Sequence, residues 1–135
     1  MKLNELFENV PDIEIRSLMA DSRKKRPSSI FFCIKGIMSD GQKFIDQAIT
    51  NGAIVIVYSE PLEKMYKGIT YIRVENVIHT FNQVADAFYN YPSHHLKMYG
   101  VTGTNGKSSI ACIIRNILNP LMPCGYIGTI SIEYG

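Results

Sequence analysis

The stretch YGVTGTNGKSSIACIIRNIL, residues 99–118, constrains the fold more than any other part of the chain. A short apolar run leads into Gly100, Gly103 and Gly106, then Lys107, Ser108 and Ser109, then an amphipathic run. Glycines allow close backbone approach and backbone angles that other residues avoid. The start of a following helix offers unpaired N–H groups and the positive end of its dipole. The pattern therefore predicts a strand, an anion-gripping loop and a helix. A loop that grips phosphates also needs a cation for the outer phosphates and a hydroxyl that can ligate Mg²⁺. Gly103, Gly106, Lys107 and Ser108 stand where those roles require them. The strict spelling G-x-x-x-x-G-K-[ST] is not met, because its first glycine falls at Val101. The structural alternative is a plain glycine turn with Lys107 and the serines exposed.

Ahead of this loop the hydrophobic pattern alternates between strand and helix. Residues 2–9 place Leu3, Leu6 and Phe7 on one helical face. Residues 13–20 read as a strand, and SIFFCIK (29–35) and AIVIVYS (53–59) as buried strands. Residues 36–41 have the composition of a loop. QKFIDQAITN (42–51) spaces Phe44, Ile45, Ala48 and Ile49 as a helix that stops at Asn51-Gly52. ITYIRVE (69–75) is a further strand, and residues 77–90 a helix ending before Tyr91-Pro92. Such alternation predicts an α/β layered architecture. YPSHH (91–95) is the linker, which divides the chain into 1–95 and 96–135, and GYIGTI (125–130) is a strand after the loop helix.

Composition narrows the function classes. The chain is 46% hydrophobic, too apolar for a disordered segment. A net charge of +2 gives no field for nucleic acid or membrane surfaces. The basic run Arg23-Lys24-Lys25-Arg26 is short, has no interleaved aromatics and reads as a solvated turn. No apolar run is long enough to span a membrane. Cys33, Cys112 and Cys124 are odd in number and lack a C-x-x-C pair, so a reducing cytoplasm is expected. Cys33 and Cys112 read as small buried hydrophobes. His79, His94 and His95 have no metal-ligand spacing and read as helix-surface and linker residues.

GVTGTNGKSS (100–109) resembles the ATP loop of the Mur ligases and the related folylpolyglutamate synthetases. Residues 21–57 narrow this to the UDP-N-acetylmuramoyl-tripeptide synthetase group. The similar pieces are Asp21-Ser22-Arg23, Pro27, the strand at 30–34, Gly36, Asp40-Gly41 and Ala48 to Ala53. GYIGTI is similar to that group as well, so the likeness runs from about residue 15 onward. Folylpolyglutamate synthetases begin near their ATP loop, which counts against them.

The resemblance implies a fold: an N-terminal α/β sheet domain over 1–95 that binds a UDP-sugar. It is followed over 96–135 by the first strand–P-loop–helix–strand of a P-loop ATPase-like Mur central domain. It also implies a reaction. ATP phosphorylates the terminal carboxylate of UDP-MurNAc-L-Ala-D-Glu. The amine of a third amino acid, diaminopimelate or lysine, attacks the acyl phosphate and gives an amide, ADP and phosphate. The cofactors implied are ATP and Mg²⁺, with no nucleic-acid or membrane partner. Gly103, Thr104, Asn105 and Gly106 are expected to cradle phosphates, Lys107 to reach the β/γ-phosphates, Ser108 to ligate Mg²⁺ and Ser109 to be a further contact.

Ser22 is the expected uridine-diphosphate contact, its alternative being a turn-forming serine. Arg23 either approaches a phosphate or pairs with Asp21. The group often carries His-Gln after the position of Gly36; here Ile37 and Met38 stand there, followed by Ser39, a further expected substrate contact. The resemblance also implies more chain, bearing further Mg²⁺ ligands, a carbamylated lysine and the amino-acid-selecting domain. These 135 residues are therefore expected not to catalyse ligation alone. The competing expectation is a stand-alone nucleotide-binding module without turnover.

Overall fold

Two continuous apolar runs build the centre of the sheet. A computed structural model describes residues 1–36 and 41–134. They form two compact units, Met1–His95 and Leu96–Gly135. In the first unit, β1 (Ser17–Met19), β2 (Ser29–Phe32), β3 (Ala53–Tyr58) and β4 (Thr70–Arg73) make a parallel sheet in the order β1-β2-β3-β4. Side chains alternate across a strand, and here both faces are covered. Ile30, Phe32, Val55 and Val57 point into one core with Leu3, Ile15, Leu18, Val77 and Val84. Phe31, Cys33, Ile56 and Tyr58 point into the other with Met19, Ile45, Ala48 and Ala53. The register Ile30↔Val55, Phe31↔Ile56, Phe32↔Val57 keeps each set in line.

Two helices close those faces. A 3-10 turn, Gly41–Phe44, leads into α1 (Ile45–Thr50), which buries Ile45 and Ala48. Gly52 follows at φ +105°, and a Cβ there would lie 2.7 Å from the Cα of Pro27. Only glycine permits that backbone conformation and that approach without strain. On the other face lies α2 (Val77–Phe88), capped by Asn76, whose Oδ1 accepts the His79 N–H at 2.9 Å. Phe81 of this helix meets Phe32 edge to face at 5.0 Å. Asn90 and Tyr91, both at positive φ, end it, and the Tyr91 N–H turns back to the Asp86 carbonyl at 2.7 Å. The linker residues Pro92–His95 form a 3-10 turn.

Three elements depart from the sequence reading. The amino-terminal helix is only a 3-10 turn, Leu3–Glu5. Its backbone is engaged elsewhere: the Leu3 N–H donates to the Ile13 carbonyl, and the Ile15 N–H to that of Met1, both at 2.8 Å. Leu3, Leu6 and Phe7 still pack into or against the core. In the second unit, α3 (Lys107–Leu118) follows the glycine loop as expected, but residues 96–102 join no ladder. A strand needs a neighbour to take its backbone groups. In this unit β5 (Tyr126–Ile127) instead pairs antiparallel with β6 (Ile132–Glu133), and the Gly128 N–H closes the turn on Ser131 at 3.0 Å. The expected strand at 125–130 therefore shrinks to two residues. Arg115 ties α3 to the hairpin through Glu133 at 2.8 Å. Among the described residues, no helix is long and apolar enough to cross a membrane.

Phe32 has no exposed surface and carries the contact between sheet and α2. Phe32→Ala is expected to lower unfolding free energy by about 3–5 kcal/mol in a denaturant titration. Ile78→Ala, on the exposed side of the same helix, should change it by less than about 0.5 kcal/mol.

Candidate functional site

The glycine loop has the local geometry of an anion site. Gly106 caps α3 in the left-handed conformation, at φ 76° and ψ 0°. Gly103 sits at φ +150°. The first intrahelical bond runs from the Ile110 N–H to the Gly106 carbonyl at 2.9 Å. The N–H groups of Lys107, Ser108 and Ser109 therefore precede the helical ladder and have no carbonyl one turn back to bond. Lys107 folds its ammonium over the loop, donating to the carbonyls of Gly103 and, at 3.3 Å, Thr104. Among the described residues no ion pair neutralises it. Thr104, Asn105 and Ser109 are exposed and Ser108 is half-buried.

These features fit a nucleoside triphosphate. Three N–H donors converge at a helix start, an ammonium lies against the same loop, and the Ser108 hydroxyl stands next in sequence for a hard cation.

The second candidate site lies between β1 and β2. Asp21 and Arg23 form a two-pronged pair, with the Arg23 Nε and Nη2 each 2.8 Å from a separate Asp21 oxygen. The Arg23 backbone N–H adds a bond to the Asp21 carboxylate at 3.1 Å. Of the two alternatives for Arg23, the structure has the pair with Asp21, and the guanidinium remains largely exposed. The side-chain bond from Arg23, then its backbone bond, hold the Asp21 carboxyl far below the usual carboxylate range.

Ser22 is turned inward and buried. Its hydroxyl donates to Gln47 Oε1 at 2.6 Å, and its carbonyl accepts from Asn51 Nδ2 at 2.7 Å. Ser22 and Arg23 thus share one turn. Ser39 lies outside the described residues. Gln47 and Asn51 were not singled out by sequence reasoning as site residues. Their signal was the i, i+4 spacing on one side of the predicted helix at 42–51, which the apolar positions overshadowed. Cys33 is buried, whereas Cys112, expected to be buried as well, and Cys124 are half-buried. No group of three or more His, Cys, Asp or Glu side chains among the described residues is placed to hold a metal.

Residues 14–89, the core of the first unit, match the profile of the Mur ligase family, catalytic domain. The chain belongs to the Mur ligase family. It is 42% identical over 97% of its length to a UDP-N-acetylmuramoyl-L-alanyl-D-glutamate–2,6-diaminopimelate ligase of Alkaliphilus metalliredigens. It is 40% identical over its whole length to the ligase of the same name from Clostridioides difficile. It spans 28% and 29% of the length of these two relatives. Among solved structures, MurF from Acinetobacter baumannii superposes on 86% of the chain with a TM-score of 0.67 at 26% identity, over 25% of that protein. The α/β architecture read from the sequence is therefore that of this ligase family.

The Asp21–Arg23 pair makes a pH prediction. A depressed carboxyl contributes to the folded state above its ordinary value of 3.8, and that contribution is lost only as pH falls through the lowered value. In a carboxyl-detected NMR titration, Asp21 should stay ionised as pH falls through its ordinary value of 3.8. Arg23→Gln should return it toward 3.8. Ordinary titration in the unsubstituted chain would show that the pair does not form.

Proposed function

We propose that this chain is part of an ATP-dependent amide-bond-forming ligase. That enzyme adds diaminopimelate to UDP-MurNAc-L-Ala-D-Glu in peptidoglycan synthesis. The observation that carries this reading is the likeness to diaminopimelate ligases over 97% of the chain or more, a share that takes in both units. Diaminopimelate, rather than lysine, is favoured because the relatives reported above carry it in their names. A cytoplasmic location accords with the unbridged thiols of Cys112 and Cys124.

In this reading residues 1–95 bind the UDP-sugar end of the substrate through Ser22, Arg23 and Ser39. Residues 96–135 begin the ATP-binding domain. ATP, when bound, supplies the phosphoryl group that activates the substrate carboxylate. Gly103, Thr104, Asn105 and Gly106 offer backbone groups to the phosphates, assisted by the first-turn N–H groups of α3 and by Ser109. Lys107 exchanges its contacts with the Gly103 and Thr104 carbonyls for the β/γ-phosphates. The exchange stabilises the complex because a phosphate is a full anion and a carbonyl only a dipole. Ser108 holds Mg²⁺, whose charge offsets the repulsion between phosphate and carboxylate. The chain's own contribution is thus binding and orientation at two anion sites.

Calorimetry of the 135-residue chain with Mg-ATP tests the loop assignment. Lys107→Ala should weaken binding by about tenfold or more, the loss of one charge-assisted contact. Ser108→Ala should remove the dependence of that binding on Mg²⁺. Equal affinities for all three chains would contradict the assignment.

A further inference from the structure

The β1–β2 connection is an awkward stretch to hold in one shape. It carries Arg23, Lys24, Lys25 and Arg26 in succession. Adjacent like charges repel, which favours an open loop. Among the described residues, Arg23 has an ion-pair partner in Asp21, and no ion pair joins Lys24, Lys25 or Arg26. The restraint comes from α1 and the residue after it. Gln47 Oε1 accepts a hydrogen bond from the Ser22 hydroxyl at 2.6 Å, and Asn51 Nδ2 donates to the Ser22 carbonyl at 2.7 Å. The Asn51 carbonyl accepts the Arg26 N–H at 2.8 Å. Gly52, backed against Pro27, lets the chains approach closely enough for these bonds. The basic turn is fastened at both ends, at Ser22 and at Arg26–Pro27.

We propose that Gln47 and Asn51 are positioning residues for the uridine-diphosphate end of the substrate, holding the 21–26 turn in its binding shape. The inference rests on the assignment of Ser22 and Arg23 to that substrate. It adds a direction to the Ser22 hydroxyl. With its proton committed to Gln47, the oxygen offers a ligand only lone pairs, so it meets a donor of the ligand. The phosphates are left to the N–H groups and ammonium groups of the turn. Gln47 acts through its acceptor oxygen, and Asn51 through its amide donor and its carbonyl.

The test uses the 135-residue chain and uridine diphosphate, with affinity read from ¹⁵N NMR shifts. Gln47→Leu keeps the volume and removes the acceptor; Gln47→Glu keeps an acceptor. Gln47→Leu should raise the Kd for uridine diphosphate about tenfold, and Gln47→Glu should stay within about threefold of the parent. Mg-ATP affinity should be unchanged in both. Trypsin should cut after residues 23–25 faster in Gln47→Leu than in the parent. Should Gln47→Leu fail to fold, Asn51→Ala decides instead, because it removes the side-chain amide donor without adding charge, keeps the backbone carbonyl that holds the Arg26 N–H, and should weaken uridine diphosphate in the same way. If the parent binds uridine diphosphate and the variants bind it equally well, the positioning role is overturned. If the parent shows no shift with uridine diphosphate at all, the substrate assignment falls, and the positioning role with it.

Discussion

The alternation of side chains along β2 and β3 is the constraint on which the first unit depends. Each residue of these strands is committed to one of two opposite cores. A slip of one residue would exchange Phe32 with Phe31 and Val57 with Ile56, leaving both cores misfilled. With the register fixed, α1 must lie on the face of Phe31 and Ile56, and α2 on the face of Phe32 and Val57. The position of α1 then decides where Gln47, Asn51 and Gly52 stand, and so where the basic turn is held. Core packing and turn geometry are one chain of cause.

The second unit has a different balance. None of the residues of α3 is buried, and Ile110, Ile113 and Ile117 make an exposed apolar stripe at helical spacing. Its order comes from local backbone geometry and from a few polar contacts. These are the left-handed cap at Gly106, the Arg115–Glu133 pair and the Asn119 side chain, which accepts the Cys124 N–H at 3.1 Å. The features that suit the loop to phosphate need no tertiary packing. They follow from glycine angles and from the unpaired start of a helix.

Much of this was legible in the sequence, for physical reasons that can be named. SIFFCIK and AIVIVYS are apolar on both faces, as only a strand covered on both sides can be. The loop helix begins at Lys107 as the glycine pattern requires. Interactions between distant segments were less legible. The bonds from residues 1–3 to residues 13–15 convert an amphipathic start into a short turn. Residues 96–102 carry strand-forming side chains, yet a ladder depends on a neighbour that composition cannot supply. The inward aim of Ser22 depends on Gln47, distant in sequence and brought near only by the β2–α1–β3 crossover.

The proposed function puts two anion sites on one chain, a nucleotide-sugar site in the first unit and an ATP site in the second. Hydrogen-exchange mass spectrometry of the 135-residue chain, with each ligand added separately, tests it most directly. The account predicts that Mg-ATP slows exchange in peptides covering residues 103–109 and leaves the 21–26 turn unchanged. Uridine diphosphate should do the reverse. Protection of the same peptides by both ligands, or no protection of 103–109 by Mg-ATP, would contradict it.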